Sequence, residues 1–134
     1  MRDLFLFCAF GLLAEVAFTG IYEALTTGFK TWKGHVSLLM ILPYGIGYLL
    51  GTQIFSFFDI TNTVVRIFSI VVIIYSLEYY FGSVYKHFGI LPWKYDHKIQ
   101  VMGIHIRLDV NGLISFAYLP LWIGFSVIAL KIFL

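Results

Sequence analysis

The stretch TVVRIFSIVVIIYSLEYYFGSV, Thr63 to Val84, decides the fold. A helix crossing a bilayer needs about 20 mainly apolar residues. This run has that length and contains two charged residues, Arg66 near its start and Glu78 in its later half. Just before it stands Asp59-Ile60-Thr61-Asn62, and before that a second apolar run, Val36 to Phe58. Four residues between two such runs leave room only for a tight helical hairpin, with Asp59 or Asn62 placed to cap the second helix by accepting backbone N–H groups. Two more runs qualify, about Leu4 to Leu25 and Asn111 to Leu134. The expected fold is all-α: an integral membrane four-helix bundle forming one transmembrane domain over residues 1–134. Its spans are about 4–25, 36–58, 63–84 and 111–134, and a long interfacial link joins the third and fourth.

Composition points the same way. Hydrophobic residues make up 60% of the 134 and charged residues 12%, against roughly 45–50% and 25% in soluble domains. Mean hydropathy is +0.91. A soluble domain this small buries only about two-thirds of its chain and has no place for so much apolar surface. An ordinary soluble domain, a disordered chain and a nucleic-acid-binding module are excluded. The single cysteine, Cys8, forms no disulfide within the chain. Phe7 stands before it where a lipid-attachment motif wants a small residue, and Glu15 interrupts the first apolar run, so that run reads as a retained helix.

Lysine and arginine set the expected orientation. Lys30 and Lys33 in the first link and Lys86, Lys94, Lys98 and Arg107 in the third place six charges on one side, while Arg2, Arg66 and Lys131 place three on the other. The six-charge side is expected to be cytoplasmic, which puts both termini outside in a multi-pass protein of the cell membrane.

The third link, about Tyr85 to Val110, has two parts. GILPWKYD, Gly89 to Asp96, is rich in turn formers, and its Trp93 and Tyr95, followed by Asp96, are suited to the membrane interface. From Ile104 to Val110 the chain alternates Ile, His, Ile, Arg, Leu, Asp, Val, the period of a strand or an extended interfacial strip. A lone strand leaves its edges unpaired in lipid, so this strip belongs at the interface or against the helices. A weak internal repeat is also visible. Glu15, Gly20, Trp32 and Pro43 follow one another as Glu78, Gly82, Trp93 and Pro120 do. Both halves run in the same direction, as in a parallel repeat.

Acids inside spans are the most informative residues. Glu15 lies in the middle of the first span and Glu78 in the inner half of the third. A charge at mid-membrane costs about 2.5–3.5 kcal/mol on insertion scales and marks a functional site by default. The alternative is an acid that bonds hydroxyls on a neighbouring helix and fixes packing. Tyr75 precedes Glu78 by three residues and is placed to hydrogen-bond it. Glu23, two turns after Glu15, reads as an interface acid pairing with Lys30 or Lys33. His35 opens the second span beside Gly34 and Ser37, where free backbone N–H groups make either a polar pocket or a capped helix start. Arg107 joins it on the same side. Pro43 and Pro120 loosen their helices and free carbonyls, and Gly47 with Gly51 forms a face for close helix approach. Arg66 is expected to snorkel outward. His87, His97 and His105 match no metal spacing, so no metal and no cofactor is expected. Glu15, Glu78, His35, Glu23, Arg107 and Tyr75 form the expected polar site: a cavity open to the cytoplasmic face between the first three spans, with Arg107 and His35 at its mouth and the two acids at its floor.

Taken together, GLLAEVAFTGIYEAL, WKGHVSLLMILPYG, LEYYFG, PWKYD and GIHIRLDV resemble the small four-span membrane proteins described as ABC-transporter type IV. The chain is similar to the vertebrate transmembrane protein 229 group as well. The similarity runs from about Gly11 to Trp122. It implies a four-span topology and singles out Glu15, Pro43 to Gly45, Glu78, Gly82, Pro92 to Asp96 and Gly103. No GxxxxGK[ST] motif is present, so the resemblance implies at most a membrane subunit served by separate ATPase chains.

Three functions fit these residues. The first is a non-enzymatic membrane subunit or small oligomer linked to transport, with membrane lipid and either second copies or other membrane subunits as partners. The second is a small membrane-embedded enzyme acting on a lipid or isoprenoid-type substrate. The third is a structural accessory subunit of a larger complex. Nucleic acid is not an expected partner.

Overall fold

The computed structural model describes residues 1–34, 36–90, 98–101 and 104–134, with 98–101 and 104–107 as backbone alone. His35, Trp93, Tyr95, Asp96 and His97 lie outside the described residues, as do the side chains of His105 and Arg107.

Helix α1 spans Arg2–Thr26. It is unbroken because nothing in that run opposes it: no proline occurs, and Thr19, Thr26 and Thr27 turn their hydroxyls back onto carbonyls of the helix itself. It ends where Gly28 and Phe29 take φ of +64° and +63°. The first link then doubles back along α1 as extended chain. A side chain on Gly34 would meet the carbonyl oxygen of Val16, and a Cβ on Gly20 would stand 3.4 Å from the Gly34 nitrogen. This close approach requires glycine at position 34, while a Cβ at position 20 would just touch the returning chain. The Glu23 carboxylate fastens the return, accepting from the Thr31 hydroxyl at 2.9 Å and the Lys33 backbone N–H at 3.0 Å. Glu23 therefore holds the link through a hydroxyl and an amide, whereas the sequence reading gave it a lysine ammonium.

Ser37 ends the extended piece, its side chain accepting from the Leu39 N–H at 3.3 Å. A 3₁₀ turn, Leu38–Met40, leads into α2, Ile41–Phe57. The helical part of the expected second span, 36–58, thus starts late. Pro43 has no N–H to offer the Leu39 carbonyl, which instead accepts from the Tyr85 hydroxyl at 3.2 Å. A turn containing Asp59, at φ +46°, joins α2 to α3, Thr63–His87. Asn62 caps α3, accepting from Val64 and Val65 at 3.0 and 3.2 Å. Arg66 does not simply snorkel: its Nε donates back to the Ile60 carbonyl and its guanidinium lies over the Phe55 ring.

The alternating strip is extended, as expected, and it has a partner that periodicity did not reveal. Strand β1, Lys98–Val101, pairs antiparallel with β2, Ile104–Arg107. Strand β3, Asp109–Val110, pairs antiparallel with β4, Ile114–Ser115, around Asn111 and Gly112, both at positive φ. This hairpin and a 3₁₀ turn, Phe116–Tyr118, occupy the start of the expected fourth span, 111–134. Helix α4 covers only Leu119–Ile132. Apolar content made 111–134 look uniform, but the hydrogen bonds of Asp109 to Gly112 and of Ser115 to Ala117 divert the backbone first.

Helix α1 packs on α2, α2 on α3, α3 on α4, and α4 back on α1. The interior holds Phe7, Met40, Tyr44, Ile70, Trp122 and Phe125 among others. Large apolar side chains such as Leu13, Phe68 and Val72 face outward. Three helical stretches, Arg2–Thr26, Leu38–Phe57 and Thr63–His87, are long and apolar enough to cross a membrane; Phe116–Ile132 is shorter.

The repeat is visible in burial. On α1 the buried positions include 7, 8, 11, 15 and 19; on α3 they include 70, 71, 74, 78 and 82, each 63 later. Glu15 and Glu78 are equivalent, and Gly82 aligns with Thr19, one residue from the Gly20 of the sequence reading. In the second helix of each half a serine cap, Ser37 or Ser115, opens a 3₁₀ turn, and a buried ring follows seven residues later, Tyr44 or Trp122.

Candidate intramembrane acid site

Both acids turn inward. Glu15 is 7% exposed and Glu78 1%. At a rise of about 1.5 Å per residue, Glu15 lies about 12 Å before Glu23 along α1. Its carboxylate Oε2 accepts from the Tyr44 hydroxyl at 2.9 Å. Gly11, one turn earlier, makes room for that ring: a Cβ there would stand 2.8–2.9 Å from its carbons. Trp122 and Phe125 each place a ring 6.4 Å from that of Tyr44, and Trp122 also meets Phe18 edge-on at 5.8 Å.

Glu78 is set differently. Its Oε1 is buried with no hydrogen-bond partner among the described residues, and the same holds for Trp122 Nε1. Tyr75 does not reach Glu78; its hydroxyl donates to the Ser115 carbonyl at 3.1 Å, tying α3 to the hairpin ahead of α4. Among the described residues the one ion pair is Arg2–Asp3 at the surface, so neither acid has a basic partner there.

A cavity adjoins Glu78. Phe7 of α1, Met40, Pro43, Tyr44 and Gly47 around the start of α2, residues of α3 from Ile70 to Glu78, and Leu134 line it. It has about 20 Å³ of room for the centre of a water-sized sphere. The sequence reading placed a polar cavity on the link side with both acids at its floor. The cavity lined by Glu78 is mainly apolar, includes Glu78 but not Glu15, and extends toward Phe7, Ile70 and Leu134, the end where the termini lie. Tyr44 lines this cavity, while its hydroxyl donates to Glu15.

Of the expected site residues, Glu15 and Glu78 are both buried, Tyr44 bonding the first and sharing a cavity with the second, while Tyr75 bonds Ser115 and Glu23 serves the first link. His35 and Arg107 fall outside what is described. Sequence reasoning missed Tyr44 and Trp122. Tyr44 stood in the quoted Pro-Tyr-Gly string, and Gly11, four residues before Glu15, was the sign that a ring sits against α1 there. Among the described residues no group of three or more metal-ligating side chains occurs. No known family model matches the chain, and no solved structure matches it.

Proposed function

We propose that the chain is a four-helix integral membrane protein that catalyses no reaction of its own and works as a subunit or small oligomer linked to transport, with Glu15 and Glu78 as its ion-handling site. Its termini and the turn around Asp59 face outward, and the first and third links face the cytoplasm. One observation carries this reading: two carboxylates at equivalent positions of two long apolar helices turn inward with no basic partner among the described residues. A membrane protein retains such costly groups where they serve an ion or proton pathway. Irregular backbone ahead of both short helices supports the same reading. Transporter sites are commonly built where helices break at membrane depth, since such backbone is tolerated only inside protein or beside a cavity.

The test is flux. In vesicles from cells expressing the full chain, an imposed proton or potassium gradient should collapse faster than in vesicles carrying the Glu15→Gln, Glu78→Gln double variant at equal expression. Equal rates, with both proteins folded in the membrane, would remove the transport reading.

A further inference from the structure

The first link leaves α1 through two residues in left-handed backbone, Gly28 at φ +64° and Phe29 at φ +63°. Glycine takes that conformation freely, but a bulky aromatic residue there is strained. Such strain persists only where the surroundings impose it. Here the Phe29 N–H donates to the Ala24 carbonyl at 2.6 Å, and the Glu23 carboxylate grips the link at Thr31 and Lys33. The outcome is outward display. Phe29 and Trp32 are each 62% exposed, with ring centroids 5.7 Å apart. A lysine follows each ring directly, Lys30 and Lys33, and both are exposed. The end of α3 repeats the combination with exposed Lys86 and Phe88. The Tyr85 hydroxyl, bonded to the Leu39 carbonyl, fixes that end beside the chain that follows the first link. Glu23 and Asp109 are turned onto backbone, accepting from the N–H groups of Lys33 and Gly112. Among the described residues none of the three lysines forms an ion pair. Exposed rings of this kind suit the boundary between headgroups and acyl chains, and each lysine near an anionic leaflet strengthens binding roughly fivefold. They stand at the end of helices whose outward faces are apolar, so the surface they meet is the headgroup layer.

We propose that the first link and the end of α3 together bind anionic phospholipid. Lys30, Lys33 and Lys86 take the phosphate charge, and the Phe29–Trp32 pair seats at the boundary of headgroup and acyl chain. Glu23 is a positioning residue: it holds the link on its strained course without neutralising either ammonium. The proposal rests on the long helices crossing a membrane. It holds for either orientation and is independent of ion handling by Glu15 and Glu78.

The experiment is electron paramagnetic resonance on the full chain in phosphatidylcholine vesicles, with spin-labelled phosphatidylglycerol compared against spin-labelled phosphatidylcholine. Motion-restricted lipid of either kind shows that the chain is in the bilayer; its absence for both would remove the membrane reading itself. The chain should prefer phosphatidylglycerol by about fivefold or more, and the preference should shrink at high salt. The triple variant Lys30→Gln, Lys33→Gln, Lys86→Gln should lose most of it, and the corresponding triple arginine variant should keep it. Circular dichroism checks folding. Glu23→Ala removes a negative charge, so charge count alone calls for a stronger preference; a positioning role calls for a weaker one, and a gain would overturn that role. Bromine near the headgroup end of the acyl chains should quench the emission lost in Trp32→Phe more than bromine near the chain terminus, and the opposite order would overturn the seating of the ring pair. Inorganic phosphate should reduce the preference no more than chloride of equal ionic strength; a specific loss would make this a site for free phosphate and overturn the lipid assignment. Equal restriction of the two lipids, or a preference unchanged in the triple glutamine variant, overturns the proposal.

Discussion

Tyr44→Phe removes a single oxygen from the interior. The ring keeps its seat over Gly11 and its contacts with Trp122 and Phe125, so the change acts at the hydroxyl that donates to Glu15 at 2.9 Å. Interhelical hydrogen bonds in membrane proteins average about 0.6 kcal/mol and reach about 1.7 kcal/mol in double-mutant cycles. A carboxylate acceptor exposed to only 7% puts this bond at the upper end. The expected loss is about 1.5 kcal/mol, slightly more than tenfold in the unfolding equilibrium at 1.36 kcal/mol per decade. Reversible unfolding in mixed micelles titrated with dodecyl sulfate reads it, with the fluorescence of nearby Trp122 as the signal. Adding Tyr44→Phe to Glu15→Ala should then cost little, because the acceptor is already gone. A loss below about 0.3 kcal/mol, or single-variant effects that simply add, would refute the account of Tyr44 as the partner of Glu15.

Gly34→Ala drives a methyl group into the Val16 carbonyl, and neither backbone gives way cheaply; a loss of about 1–3 kcal/mol and faster proteolytic nicking of the first link are expected. Asn62→Ala deletes the acceptor for Val64 and Val65 and should cost about 1 kcal/mol in the same unfolding assay, while Asn62→Asp should restore most of it. For orientation, with Cys8 replaced by Ala, a cysteine at Lys94 should be protected from impermeant thiol reagents in intact cells and one appended after Leu134 should be labelled; the reverse pattern would invert the topology.

Long apolar runs made α1 and α3 legible within a few residues, because length and hydropathy alone dictate a spanning helix. The same measure found the second stretch, Leu38–Phe57, within two residues but overran the fourth, whose helix begins only at Leu119. Hydropathy is blind to backbone direction, and Ser37 and Ser115 redirect the chain through hydrogen bonds that carry no apolar signature. The inward turn of Glu15 and Glu78 was readable, since a charge in lipid has nowhere else to go. The identity of their neighbours was not: whether Tyr75 or Tyr44 meets an acid depends on which helices touch, and spacing along one helix cannot say. Tyr75 had the right spacing to Glu78 and bonds Ser115 instead. The paired strands around residues 98–115 were half legible, through their alternation, while their partners depended on turns at Asn111 and Gly112.

The brevity of α4 bears on how the protein is made. Fourteen residues reach about 21 Å, well short of a hydrocarbon core about 30 Å thick. Such a segment is a poor substrate for insertion by itself, and the strands before it cannot enter lipid with open edges. In a bilayer such a helix would lean on its neighbour: α3 has 25 residues, and its Tyr75 hydroxyl holds the Ser115 carbonyl ahead of the shorter helix.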